Sequence, residues 1–305
     1  MRTFRCLLTL ACLTLFIGSA HADTNPDWST PLPPFQIADN LYYVGSRDLA
    51  SYLITTPKGN ILINANLASA PPQIRASIEK LGFKYADTKI LLNAQAHFDH
   101  SAGTAEIIRE THAKNEVMDG DVSVMESGGK TDLLASGHSL ETFAPAHVDR
   151  VLHDNDTVTL GGFTLTAHKT AGHTRGCTTW TFRVHLPGDP PTQLRNVVIL
   201  GGDSFWSEYH FVNRPDQPAS YPGIATDFQH TFATLHALPC DIFLGAHGIY
   251  FNLLAKLQRL PQEGPKVWID PQGYREAIDK AQAIFDTELA KQISEVPKAK
   301  ISSVN

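Results

Sequence analysis

Apolar and polar positions alternate through the first part of the chain. Leu41–Val44 and Ser51–Thr56 carry the period-two signature of strands, and Pro57-Lys58-Gly59 turns the second into Asn60–Ile63. The period then lengthens. Pro71 and Pro72 open a helix over Gln73–Leu81, where Ile74, Ile78 and Leu81 recur at helical spacing, and Gly82 ends it. Lys89–Leu92 predicts a short buried strand, and another helix begins at Thr104. In the second half, Thr157–Leu160 and Phe163–His168 flank Gly161-Gly162 as a hairpin. Thr178–His185, Val197–Leu200 and Asp241–Gly245 are further strands. Ile224–Leu238 and Tyr274–Ile293 are helices, the second capped at Asp270 and Pro271.

Strands followed by helices, twice over, predict an α/β chain of two similar halves, packed sheet against sheet with helices outside. The irregular, Gly/Ser-rich stretch Gly120–Val151 is where the halves are expected to meet, and Asp23–Pro34 is an extended lead-in.

The amino terminus stands apart from this pattern. Arg2 and Arg5 precede an apolar run from Cys6 to Gly18, and Ala20-His21-Ala22 is a small-x-small cleavage signal. The run is too short to span a bilayer, so residues 1–22 are expected to be a signal peptide cleaved after Ala22, leaving a periplasmic protein without a membrane anchor. Without the two arginines, the balance of 25 basic and 31 acidic side chains moves from −6 to −8. That charge disfavours a nucleic-acid partner. Cys177 and Cys240 remain after processing; export permits a disulfide between them, and two buried thiols are the plainer expectation.

Candidate chemistry concentrates at three strand ends. Gln95-Ala96-His97-Phe98-Asp99-His100 follows the apolar strand Lys89–Leu92 directly and offers an amide, two imidazoles and a carboxylate. Alternate positions can face different ways, so one short loop can feed two metal ions. Ala171-Gly172-His173-Thr174-Arg175-Gly176 and Leu244-Gly245-Ala246-His247-Gly248 each place a histidine in a glycine-flanked turn. His112, His138, His147, His153, His185, His230 and His236 are expected to be surface or capping residues, with His168 and His210 undecided.

These motifs resemble the metallo-β-lactamase superfamily signature: an HxHxDH segment, a distant GH, a carboxylate or thiol near GD or GC, and a last histidine. The similarity is to subclass B3 over essentially the whole mature chain, from Asp48–Thr55 and Lys58–Asn64 through Gly202-Asp203-Ser204 and Leu238–Asp241 to Ala246-His247-Gly248. Gln95 stands where the family usually has its first histidine, as in the GOB-type branch. The resemblance implies a four-layer αββα sandwich and one or two Zn²⁺ ions, the first on Gln95, His97 and His173 and the second on Asp99, His100 and His247. An amide oxygen is a weaker zinc ligand than an imidazole, so the first site is expected to bind less firmly. Asn64 replaces an Asp that many relatives carry.

The activity implied is hydrolysis of β-lactam antibiotics by metal-activated water, with Asp99 as ligand and proton shuttle. The expected partner is a small β-lactam, and the expected state a monomer. Ser204 is assigned a water- or substrate-contacting role, Phe205, Trp206 and Tyr209 are candidate cleft walls with packing the expected role of at least two of them, and Arg175 is expected to be a solvated surface residue. A lactonase or thioester hydrolase of the same superfamily is the alternative, for which Asp203 is the one candidate bridge between two metal ions. A metal-binding protein with little turnover is the reading outside enzymology.

Overall fold

The computed structural model describes residues 25–133, 142–215 and 217–296. The expected signal peptide and His138 lie outside the described residues. Strands β1 (Phe35–Ala38), β2 (Leu41–Tyr43), β3 (Tyr52–Thr56) and β4 (Gly59–Ile63) form an antiparallel meander. The chain then crosses through helix α1 (Pro71–Lys80) and returns as β5 (Thr88–Leu92), parallel to β4. Helices α2 (Phe98–Ser101) and α3 (Thr104–Thr111) lead to β6 (Lys114–Met118), and α4 (Val122–Ser127) precedes β7 (Arg150–Leu152). These seven strands lie in one sheet in chain order.

The second sheet is five-stranded, in the order β12-β11-β10-β9-β8. It comprises β8 (Thr157–Leu160), β9 (Phe163–Lys169), β10 (Thr178–Val184), β11 (Arg195–Leu200) and β12 (Ile242–Gly245). Helix α5 (Ile224–Ala237) carries the chain from β11 to the parallel β12, and α6 (Leu253–Glu263) and α7 (Pro271–Ser294) follow.

Strand alternation explains the layering. Tyr52, Ile54, Ile61, Ile63 and Leu92 join a core shared with Leu165, Ala167 and Trp180 of the second sheet. Their neighbours Leu53, Leu62 and Leu91 point the other way, onto Ile74 and Ile78 of α1 and Ile107 of α3. Each fully buried leucine stabilises the fold by about 1.5–3 kcal/mol. On the far side, Phe228 and Phe232 of α5 and Phe285 of α7 pack together in the main core. The result is the four-layer αββα sandwich.

The chain passes from the first sheet to the second just after the stretch Gly120–Val151. β7 still pairs with β6, with Glu116 opposite Arg150 and their side chains ion-paired at 3.0 Å, so the change of sheet falls at residues 153–156. β1 and β7, of four and three residues, are too short to show a readable alternation, and β6, α4 and α6 are not among the elements predicted above. The loops after β5, β11 and β12 and the β9–β10 turn all come together at one edge. Thr178 N donates to Ala94 O, Ala246 N to Leu200 O, and Ala50 N to Ala246 O. Ends of parallel strands are where open α/β sheets display functional groups.

Candidate metal centre

The hexad loop is held from behind. Asn64, in the left-handed region at φ 67°, accepts the Ala94 amide on Oδ1 at 2.8 Å and donates from Nδ2 to Ala50 O at 3.2 Å. The donated bond is one that a carboxylate could not make. Gln95 follows immediately, then His97, and α2 begins at Phe98 and presents Asp99 and His100 in its first turn.

Three atoms from two distant segments converge. His100 Nε2 and His247 Nε2 are 3.1 Å apart, and Asp99 Oδ2 lies 3.3 Å from the first and 3.4 Å from the second. Ligands about 2.0–2.1 Å from a tetrahedral ion stand about 3.3 Å from one another, so this triangle fits a divalent cation. The His97 and His173 rings lie alongside each other, with centroids 4.8 Å apart. Gln95 is buried, and its Nε2 donates to Gly201 O at 3.4 Å while its Oε1 has no hydrogen-bond partner. An orphaned buried acceptor two positions before His97 in the hexad fits a cation better than a purely structural role.

The partners of the imidazoles determine which nitrogen is free. His173 Nδ1 lies 2.9 Å from the Ser204 carbonyl and His247 Nδ1 lies 3.0 Å from Asp48 Oδ2. Both partners only accept, so each Nδ1 carries the proton and Nε2 is left for a metal. His97 differs: its Nε2 faces the Asp132 carboxylate at 3.3 Å.

Electrostatics favour a cation here. Burial alone would raise Asp99, but His100 and His247 hold it well below the usual carboxylate range. Burial would lower His247, but Asp48 and Asp99 outweigh it and push the imidazole up to about 9. Burial and the neighbouring His97 push His173 down to about 3. The metal-free site thus holds a proton on His247 that a metal ion would displace.

The glycines of the His173 turn have specific causes. Gly172 sits at φ +138°, and a Cβ there would meet the Phe228 ring at 2.7 Å. A Cβ on Gly176 would lie 2.5 Å from Asp121 N. Asp121 itself, buried between α4, the hexad loop and the His173 turn, accepts Ala96 N, Thr174 Oγ1 and Gly176 N, each at 2.8 Å.

His97, Asp99, His173 and His247 line a cavity of about 550 Å³, together with Ser204 and Trp206. Gln95 and His100 are buried below it. Trp206 stacks on His97 at 5.5 Å between centroids, with 15° between the planes. Tyr209 is not a cleft wall: it is buried, and its hydroxyl donates to the His173 carbonyl. Phe205 packs against Phe211 and Phe228. Arg175 is exposed, with its guanidinium 4.9 Å from the Tyr221 ring. Asp203 lines an adjoining cavity of about 340 Å³, which shares Ser204 and Tyr250 with the first, and burial pushes its carboxyl up to about 6. His168 bonds Thr181 and His210 bonds Gln217, so neither joins the site. Cys177 and Cys240 are free thiols.

Sequence reasoning misses Trp28, Asp48, Asp121, Asp132 and Ile249. Asp48 has a signal, since it opens one of the segments that carry the family resemblance. The others are visible only once distant loops meet.

Comparison with known proteins agrees with this geometry. Residues 47–185 match the metallo-beta-lactamase superfamily. The native FEZ-1 metallo-beta-lactamase from Legionella gormanii is 48% identical, with a TM-score of 0.81 over 87% of this chain and 98% of that one. BJP-1, a subclass B3 metallo-beta-lactamase of Bradyrhizobium japonicum, is 35% identical, with a TM-score of 0.78 over 88% of this chain and 98% of its own. GOB-18 from Elizabethkingia meningoseptica is 36% identical, with a TM-score of 0.77 over 88% and 96% of the two chains. With its fold, its converging donor atoms and these relatives in agreement, the chain belongs to the metallo-beta-lactamase superfamily.

Proposed function

We propose that this chain is a zinc-dependent β-lactamase that opens the β-lactam amide of antibiotics such as penicillins, cephalosporins and carbapenems, conferring resistance. The observation that carries the reading is the Asp99–His100–His247 triangle, with His97 and His173 beside it on the wall of one open cavity. Gln95, His97 and His173 would hold one ion, and Asp99, His100 and His247 the other. Bound zinc supplies a Lewis acid and lowers the pKa of a bound water to about 7.

The chain's own groups do the rest. Asp99 takes the proton of the attacking water and passes it to the amide nitrogen as the C–N bond breaks. Ser204 O fixes His173 through its Nδ1, and Trp206 walls the cavity over His97. No helix among the described residues is long and apolar enough to cross a membrane. We read the active form as a single domain, residues 23–305, acting as a periplasmic monomer.

Purified protein should hydrolyse a chromogenic cephalosporin, lose that activity to a chelator and regain it with zinc. Turnover of lactones or thioesters, with inactivity on every β-lactam class, would favour the alternative hydrolase instead. That alternative requires Asp203 between the metal ions, whereas Asp203 lines the adjoining cavity and not the one lined by His97, Asp99, His173 and His247.

A further inference from the structure

Asp48 lies in the turn before β3, and its buried carboxylate gathers donors from three segments. Oδ2 accepts Trp28 Nε1 and His247 Nδ1, each at 3.0 Å, and Oδ1 accepts the Ile249 amide at 2.9 Å. The backbone reinforces the junction: Gly248 N donates to Asp48 O at 2.6 Å, and Leu49 bridges His247. Trp28 and Ile249 both line the 550 Å³ cavity. The Trp28 ring lies 5.8 Å from that of His247, and Ile249 is 74% exposed. An isoleucine that open gains little from folding. What it offers is apolar surface to a molecule entering the cavity.

We propose that Asp48 is a positioning residue that ties the orientation of His247 to the apolar wall made by Trp28 and Ile249. An ionised carboxylate only accepts, so it pins the His247 proton on Nδ1, leaves Nε2 for the metal, and at the same time fixes both wall residues. The wall then suits β-lactams whose acyl group carries an aromatic or branched apolar substituent. This role rests on the proposed ligation by His247. It also explains why one carboxylate is placed where ligand and cavity mouth meet.

Asn separates this role from simple packing, because it keeps the shape of Asp48 while placing an NH₂ group either against both Trp28 Nε1 and His247 Nδ1 or against the Ile249 amide. If that group faces His247, it favours the tautomer with the proton on Nε2; if it faces Ile249, the wall loosens. With zinc alone, Asp48→Asn in the first orientation should weaken one of the two binding steps by about 10–100-fold and leave the other within a factor of a few, whereas in the second it should leave both near wild type. Its KM for benzylpenicillin should rise as well. Ile249→Ser should raise KM for benzylpenicillin severalfold, leave KM for a penicillin with a small acyl group little changed, and leave both zinc affinities untouched. Wild-type zinc binding and KM in Asp48→Asn, or equal weakening of both ions, would overturn the proposal. If Asp48→Asn does not fold, cobalt-loaded wild type gives the answer: a slowly exchanging His247 Nδ1–H resonance is expected, and its rapid loss to water would count against Asp48. Wild type that takes up no metal would instead sink the metal-site reading on which this role depends.

Discussion

The Asp121 carboxylate accepts the Ala96 amide at 2.8 Å, and this bond joins the hexad loop to the turn that carries His173. The same oxygen takes Thr174 Oγ1, and the other takes Gly176 N. One buried acid therefore sets the distance between the hexad loop and the His173 turn.

Asp121→Ala should leave these buried donors without a partner and lower stability by about 3 kcal/mol, read by urea unfolding. Zinc affinity should fall with it, because His97 and His173 lose their common anchor. Unchanged unfolding and unchanged zinc binding would show that the loops hold themselves.

Tyr209→Phe removes the hydroxyl that donates to His173 O and should destabilise by about 1–2 kcal/mol. KM should not change, since the ring lies behind the site. A large rise in KM at unchanged stability would restore Tyr209 as a substrate contact.

Gln95→His replaces an orphaned amide oxygen with an imidazole, the stronger zinc ligand. Elemental analysis should show higher metal occupancy after dialysis. Identical content and kinetics in the two proteins would mean that Gln95 does not bind metal.

Asp203 gives a pH signature. Burial lifts its folded pKa to about 6 from the ordinary aspartate value of 3.8, so the folded state keeps a proton that the unfolded chain releases. Its contribution to stability is therefore full below about pH 4 and is lost as pH rises through 6, at most about 3 kcal/mol. In metal-free protein, Asp203→Asn should flatten this part of the urea-stability profile relative to wild type, with only mild loss of β-lactam turnover in the zinc-loaded enzyme. Near-complete loss of turnover would place Asp203 in the reaction after all.

Much of this protein can be read before it is folded. Period-two runs such as Tyr52–Thr56 and the helical spacing of Ile74 and Ile78 determine local structure, because a strand or helix must bury one face whatever its neighbours are. The Gln95–His100 hexad and the glycine-flanked His173 and His247 are equally plain, since side-chain chemistry at a strand end is a local property. Tertiary structure decided what those histidines can do. Which nitrogen His247 offers depends on Asp48, nearly 200 positions away, and Tyr209 became a buried support instead of a wall only because the His173 carbonyl lies within reach of its hydroxyl. A one-dimensional pattern records which groups a chain carries, but hydrogen bonds between distant loops exist only after the sheets have packed, and here they fix the orientation of the candidate ligands.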